Sequence, residues 1–314
     1  MHVIFGAGPV GTTLALELAN SGEEVRLISR SGTGPSHPAI TCQRVDATDP
    51  DATRRATTDA SVMYNALNPP YPSWERDWPP LHRNLMDAAE ASGAVLVMMD
   101  NLYGYGDTNG VPMTTSTPLN ATGAKGGTRA RMSEGLLAAH AAGRLRATIA
   151  RASDFFGPLV VDASLGERVI PNVIAGKTVR LLGALDQPHS IAYMPDVART
   201  LATIGRTESA WGRAWHVPSA PAVTQGEIIR MLADAAGTTV KAASVPAWVL
   251  RAMGLVSPMM RALGEVEYQF AKPFIVDASD TESALGIAAT PLVEGFAETI
   301  AWWRDRAATA KAAA

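Results

Sequence analysis

Six residues near the amino terminus constrain this chain more than any others: Gly6-Ala7-Gly8-Pro9-Val10-Gly11, a G-x-G-x-x-G array. The array follows an apolar run over residues 3–5. It opens an amphipathic stretch carrying Val10, Leu14, Leu16 and Leu18, which stops at Asn20-Ser21-Gly22. A second strand-like run, residues 24–29, comes next. In a strand–turn–helix–strand unit each glycine has a mechanical task. Gly6 permits the tight turn, Gly8 lets the backbone approach a pyrophosphate, and Gly11 lets helix and strand pack closely. The N–H groups at the helix start then face the anion. Gly6, Gly8, Pro9, Val10 and Gly11 therefore read as the phosphate turn of a dinucleotide site.

The end of the second strand selects the dinucleotide. An NAD site places Asp or Glu about twenty residues beyond the glycines, where it accepts from the ribose hydroxyls. Here the chain reads Ser29-Arg30-Ser31. A carboxylate would repel a 2′-phosphate, whereas a guanidinium pairs with one through charge-assisted hydrogen bonds. The reading is NADP(H), with Arg30 on the 2′-phosphate. Asp46, after a third short strand, is positioned to bond the adenine amino group, or to cap the helix that starts near Asp49.

Further on, strand-like runs at residues 40–45, 61–66, 94–99 and 146–151 are separated by helical patterns at 51–58, 81–91 and 129–142. This alternation predicts an α/β fold, a doubly wound parallel (Rossmann) sheet with helices on both faces. Ligands of such sheets bind beyond the carboxyl ends of the strands. After Gly157 the rhythm breaks, predicting a smaller interleaved lobe. The expected division is 1–157 for the NADP-binding domain, with 188–217 returning to it, and 158–187 plus 218–314 for the substrate lobe. Thr224 and Glu227 form a capping-box pattern for a helix over 225–236.

Composition narrows the partners. The net charge of −3 and scattered arginines offer no footprint for nucleic acid. No segment approaches the ~18 uninterrupted apolar residues of a membrane span. Cys42 is the single cysteine, so no disulfide forms within the chain, and the first strand begins at residue 2. The expectation is a cytoplasmic protein, monomer or homodimer, with a small-molecule substrate and no membrane or nucleic-acid partner. His, Cys and carboxylates show no metal-ligand spacing.

With these positions in view the chain resembles the extended short-chain dehydrogenase/reductases of the NAD-dependent epimerase/dehydratase group. The resemblance is carried by Tyr103-Gly104, by Arg151-Ala152-Ser153-Asp154-Phe155-Phe156-Gly157-Pro158, by Ile191-Ala192-Tyr193-Met194-Pro195-Asp196-Val197-Ala198, and by the closing segment from Glu294 to Arg304. It implies that the backbone at Ala66, Leu67 and Asn68 runs past the cofactor ribose and that Ser153 borders the nicotinamide. His189 stands where sugar-nucleotide members often carry a basic substrate contact.

The same resemblance implies a catalytic Ser on the fifth strand and a Tyr-x-x-x-Lys on the next helix, and this chain departs from both. Counting from Tyr103-Gly104 puts Met99 at the Ser. Counting from Glu134 puts Gly126 at the Tyr and Ala130 at the Lys. No Tyr occurs between Tyr105 and Tyr193. Replacement candidates cluster at the mouth of the sheet. Tyr103 or Tyr105 would donate a proton, Asn101 would polarise an oxygen, and Lys125 and Arg129, four residues apart on one helical face, would supply positive charge. The leading expectation is an NADP(H)-dependent reductase of a small, fairly apolar carbonyl or unsaturated compound. A non-catalytic NADP(H) sensor is the second reading and a sugar-nucleotide epimerase or dehydratase the third.

Overall fold

Side-chain alternation along the first strand sets the layout. Val3 and Phe5 pack to one side and Ile4 to the other, all three fully buried, as required of a strand covered on both faces. The computed structural model describes residues 1–312. Its central strands are β1 (His2–Phe5), β2 (Val25–Ser29), β3 (Ile40–Arg44), β4 (Val62–Asn65), β5 (Val95–Asn101), β6 (Arg146–Ala152) and β7 (Ala214–His216). They form one sheet in the order β7-β6-β5-β4-β1-β2-β3, every neighbouring pair parallel. The strand order reverses between β1 and β4, and the crevice that a dinucleotide occupies in such sheets opens there.

Two helical layers cover the sheet. On one face lie α1 (Pro9–Asn20) and, from late in the chain, α5 (Met194–Arg206). On the other lie α3 (Trp74–Ser92) and α4 (Ala124–Ala141), with the short α2 (Pro50–Ala56) beside α3. Leu14, Leu18, Val197 and Leu201 pack with Ile4, while Leu85, Ala89 and Leu136 pack with Phe5 and Met63. Each such fully buried Leu, Ile or Phe contributes about 1.5–3 kcal/mol.

Two helices begin earlier than periodicity predicts, at Trp74 rather than 81 and at Ala124 rather than 129. Helix α3 runs through Pro79 and Pro80, which normally break a helix. Trp74 and Trp78, buried at the α3–α4 junction, hold its first turns in place, and Trp74 Nε1 donates to the Pro69 carbonyl at 3.0 Å.

The smaller lobe has its own core of Leu165, Ile170, Val173, Ile228, Leu232, Phe296 and Ile300. Strand Asp154–Phe156 pairs with Ile191–Tyr193, and Phe156, Ile191 and Tyr193 belong to this second core. Past Tyr193 the chain returns to the central sheet through α5 and β7. The capping box forms, with Glu227 N donating to Thr224 Oγ1 and Thr224 N to Glu227 Oε2. Among the described residues no helix is long and apolar enough to cross a membrane, and no group of His, Cys, Asp or Glu could hold a metal ion.

Candidate active site

The glycine turn leaves no room for other residues at two of its three positions. Gly6 has φ +109°, and a Cβ there would stand 2.4 Å from the Ala66 carbonyl oxygen. A Cβ on Gly11 would fall 1.8 Å from the Gly6 carbonyl oxygen. A Cβ on Gly8 would meet nothing within 4 Å. Crowding at Gly6 and Gly11 and open space at Gly8 are what a turn that admits a pyrophosphate requires. Gly8 caps α1 without any side-chain hydrogen bond, and Pro9 takes the first helical position, where its missing N–H costs nothing. Val10 is half-buried against the adjoining core. The residues present therefore fit a dinucleotide.

Around the turn, Arg30 is exposed at the end of β2, beside a hydroxyl cluster in which Ser31 Oγ lies 3.1 Å from Ser29 Oγ and 2.7 Å from Thr33 Oγ1. Asp46 does not cap α2. That task falls to Asp49, which accepts from the N–H groups of Asp51 and Ala52. Asp46 instead accepts from Thr48 N and Thr48 Oγ1. These two bonds, with a smaller contribution from the Arg30 charge, hold its carboxyl below the usual range. The Ala66 backbone lies against Gly6, Leu67 N donates to Asn65 Oδ1 at 3.2 Å, and Asn68 is exposed. Ser153 is buried, its hydroxyl donating to the Ser190 carbonyl.

Between the lobes a second group of side chains converges on the carboxyl end of the sheet. Lys125, in the first turn of α4, is buried. Its Nζ donates to the Tyr71 carbonyl at 3.1 Å and lies 4.5 Å from the centre of the Tyr71 ring. Burial lowers its pKa, with Glu265 partly opposing. Tyr71 donates to the Tyr103 hydroxyl at 3.4 Å, and Trp74 packs against both rings. Glu265, from the smaller lobe, accepts from Lys125 N at 2.6 Å and so caps α4 across the interface. Burial raises the phenol pKa of Tyr71, Tyr103 and Tyr268. The carboxylates of Asp154 and Glu265 push Tyr71 the same way.

One helical turn below Lys125, Arg129 is committed elsewhere. Its Nε lies 2.7 Å from Asp100 Oδ1, its Nη2 donates to the Met99 carbonyl at 3.1 Å, and Trp74 and Trp78 stack on the guanidinium. Asp100, itself buried, also accepts from Ser133 at 2.6 Å and faces Arg151 at 3.6 Å. Arg151 Nη1 donates to the Tyr105 hydroxyl at 2.8 Å. Tyr105 in turn donates to His216 Nε2 at 2.7 Å, because His216 Nδ1 donates to the Asp277 carbonyl. Tyr105 is thus enclosed in a buried network, and Asn101 uses its Oδ1 on Tyr103 N.

The structure links Lys125 to Tyr103 through Tyr71, with Asn101 on the Tyr103 N–H, and commits Arg129 and Tyr105 to a buried network. It also shows why the two positions counted for the missing pair carry small residues. A Cβ at Gly126 would stand 2.5 Å from the Tyr103 carbonyl oxygen, and Ala130 is buried against Gly104, so neither position can present a long side chain. Lys125 and Arg129 are the residues that α4 turns toward the sheet. Sequence reasoning missed Tyr71, Asp154, Glu265 and Tyr268. Asp154 and Tyr71 lie within segments already of interest. Glu265 and Tyr268 reach the mouth only through tertiary packing, and no local pattern marks them.

The fold and the glycine turn define a dinucleotide-binding α/β protein of the doubly wound class. The chain belongs to the NAD-dependent epimerase/dehydratase family, whose sequence model matches residues 2–217. No curated protein matches it. Among solved structures it is similar to gox2253, at 21% identity and a TM-score of 0.80 over 98% of each chain. It is similar to DesIV, a dTDP-glucose 4,6-dehydratase from Streptomyces venezuelae with NAD and TYD bound, at 17% identity and a TM-score of 0.78 over 98% of each chain. MoeE5 in complex with UDP-glucose and NAD is 22% identical, with a TM-score of 0.76 over 98% of this chain and 99% of that one.

Proposed function

We propose that this chain is an NADP(H)-dependent reductase that moves hydride to and from the carbonyl carbon of a small, fairly apolar molecule, with Lys125 handling the proton at the oxygen. The observation that carries this reading is the buried Lys125 ammonium at the opening of α4, its pKa lowered by burial and its neighbour the Tyr71 phenol, which in turn meets Tyr103. A bound nicotinamide supplies the hydride. Burial lowers the pKa of this lysine, which makes its ammonium a readier proton donor as the carbonyl oxygen gains charge, and solvent returns the proton. Tyr103, its phenol harder to ionise than usual, stays protonated and orients the oxygen as a neutral donor. Arg129 acts from beneath as fixed positive charge, locked by Asp100. Arg30 supports NADP(H) over NAD(H), as the exposed guanidinium closest in sequence to the end of β2.

A sugar-nucleotide epimerase or dehydratase is favoured by the family and by the UDP-glucose in the MoeE5 structure. That chemistry takes hydride and returns it to the same substrate, so it needs a competent base, and Lys125 is again the group available. Turnover separates these readings from a sensor. NADPH oxidation over a carbonyl panel, and UDP-glucose conversion with NAD or NADP, should find one active pair. Lys125→Met should cut kcat by roughly 100-fold or more, within the usual range for a general acid, while NADP(H) affinity stays within a factor of about two. Tight NADPH binding without turnover of any substrate would leave the sensor, and full activity in Lys125→Met would remove the proton assignment.

A further inference from the structure

We infer that a short helical hairpin in the smaller lobe docks on the surface of an anionic lipid bilayer, inserting the Leu255-Val256 turn that joins its two helices. Docking of this kind is independent of the reaction performed at the site.

The hairpin consists of α6 (Ala247–Gly254) and α7 (Pro258–Gly264). Its charge sets it apart. Residues 235–264 hold Lys241, Arg251 and Arg261 but no Asp or Glu, in a chain whose net charge is −3. Glu265, the first carboxylate beyond, is turned onto Lys125 N. Arg180, on the strand paired with the one that leads into α6, is exposed and adds charge of the same sign. Apolar surface concentrates here too. Seven large apolar side chains stand exposed among the described residues, and five belong to the hairpin: Trp248, Met253, Leu255, Val256 and Met259. Leu255 and Val256, at 80% and 86%, are the most exposed of the seven and are adjacent at the turn. Single exposed apolar residues are ordinary, but a cluster of them marks a contact surface.

The backbone of the turn is suited to leaving water. Leu255 N donates to the Ala252 carbonyl at 3.2 Å, and Val256 N and Ser257 N both donate to the Met253 carbonyl, at 3.2 and 3.0 Å. Arg261 reaches back along the hairpin, its Nε donating to the Gly254 carbonyl at 3.1 Å and its Nη2 to the Leu255 carbonyl at 3.4 Å. Polar groups that would otherwise demand water are thus met within the hairpin, which is the condition a bilayer imposes on inserted backbone. An amphipathic element carrying cations and a Trp beside its apolar face lies in the headgroup region, and no membrane span is needed. Helix α7, with seven residues, rises about 10 Å, which matches the ~5–10 Å to which such elements sink. It packs against the Tyr71–Ser73 turn, so docking holds the Lys125–Tyr71 cluster beside the lipid. A second copy of the chain fits this surface less well, because a two-fold contact would set the cations against themselves.

Vesicle binding by the full chain tests this. It should co-sediment with vesicles containing about one-third phosphatidylserine, roughly tenfold or more tightly than with phosphatidylcholine alone, and the affinity should fall as salt rises. Replacing both turn residues, Leu255→Ser with Val256→Ser, should weaken that binding roughly tenfold or more. The urea midpoint should stay where it is, because neither side chain packs in the core. Trp248→Phe should lose most of the quenching that brominated lipids impose on the tryptophan emission of the wild type. Three results would overturn the inference: no binding to phosphatidylserine vesicles, equal binding to both compositions, or binding untouched by the double substitution. Quenching unchanged in Trp248→Phe would also count against it, by placing the contact elsewhere. A dimer in sedimentation velocity that the double substitution abolishes, without vesicle binding, would assign the surface to a second copy instead. None of these readouts requires catalysis, so they stand or fall apart from the hydride-transfer reading.

Discussion

At the residue scale the proposed preference for NADP(H) depends on Arg30, because the rest of the phosphate turn is common ground for both dinucleotides. Gly6, Gly8 and Gly11 set where a pyrophosphate can lie, through a carbonyl 2.4 Å from any Cβ at Gly6 and one 1.8 Å from any Cβ at Gly11. Neither contact distinguishes a ribose hydroxyl from a ribose phosphate. On the proposed reading Arg30 does, since it brings a guanidinium to the end of β2, with the hydroxyls of Ser29, Ser31 and Thr33 alongside. A charge-assisted contact of this kind is worth about 1.5–3 kcal/mol, roughly ten- to a hundredfold in affinity. Fluorescence titration should therefore find NADPH bound more tightly than NADH, and Arg30→Glu should reverse the order. Equal affinities before and after the substitution would take Arg30 out of the cofactor site.

Elements are where sequence and structure part company, and α4 shows why. The strands and α1 were legible because their apolar spacing matches the period of the element that forms. The first turns of α4 read Ala-Lys-Gly-Gly-Thr, in which each glycine weakens an isolated helix by about 1 kcal/mol relative to alanine. Tertiary packing overrides this, because Gly126 lets the helix approach the Tyr103 backbone closer than any side chain would allow. Periodicity alone starts the helix at 129 and leaves out the turn that carries Lys125, four residues from Arg129 on the same face. Helix α3 misleads for a similar reason, since Pro79 and Pro80 read as a break while buried Trp74 and Trp78 extend the helix. What locks β5, β6 and α4 together is Asp100, buried against Arg129, Arg151 and Ser133. Removing one partner of such a group leaves charge uncompensated in the interior, at a cost of about 3–5 kcal/mol. Asp100→Ala should lower urea-unfolding stability by that amount, whereas a loss below about 1 kcal/mol, the level of an exposed pair, would mean that solvent reaches the cluster.

Across the whole molecule, acid stability follows from two histidines that folding keeps neutral. His216 is inaccessible to solvent at the end of β7, tying Tyr105 to the Asp277 carbonyl, and His82 is buried on α3. Burial is the largest cause in both cases, and it brings each from 6.5 down to about 4. The sign follows from proton counting. In the unfolded chain both protonate near 6.5, so between there and about 4 the unfolded state holds more protons than the native one. Their contribution is fully present above 6.5 and drains away as the pH falls through that window, by up to about 1.4 kcal/mol per pH unit for each histidine. A shift of this size corresponds to roughly 3 kcal/mol per histidine, to order of magnitude, so the pair alone could consume much of a typical domain's stability. Urea unfolding at steps from pH 7.5 to 4.5 should show stability level above about 6.5 and declining below it. His216→Gln, which cannot titrate, should remove about half of that decline even if it lowers the plateau. Stability that stays flat to pH 4.5, or a slope unchanged in His216→Gln, would show that these imidazoles are not what acid acts on. Because His216 joins the sheet to the Asp277 segment, its protonation should also loosen the contact between the carboxyl-terminal third and the Tyr105 turn, so protease cleavage near residue 277 should rise before global unfolding does.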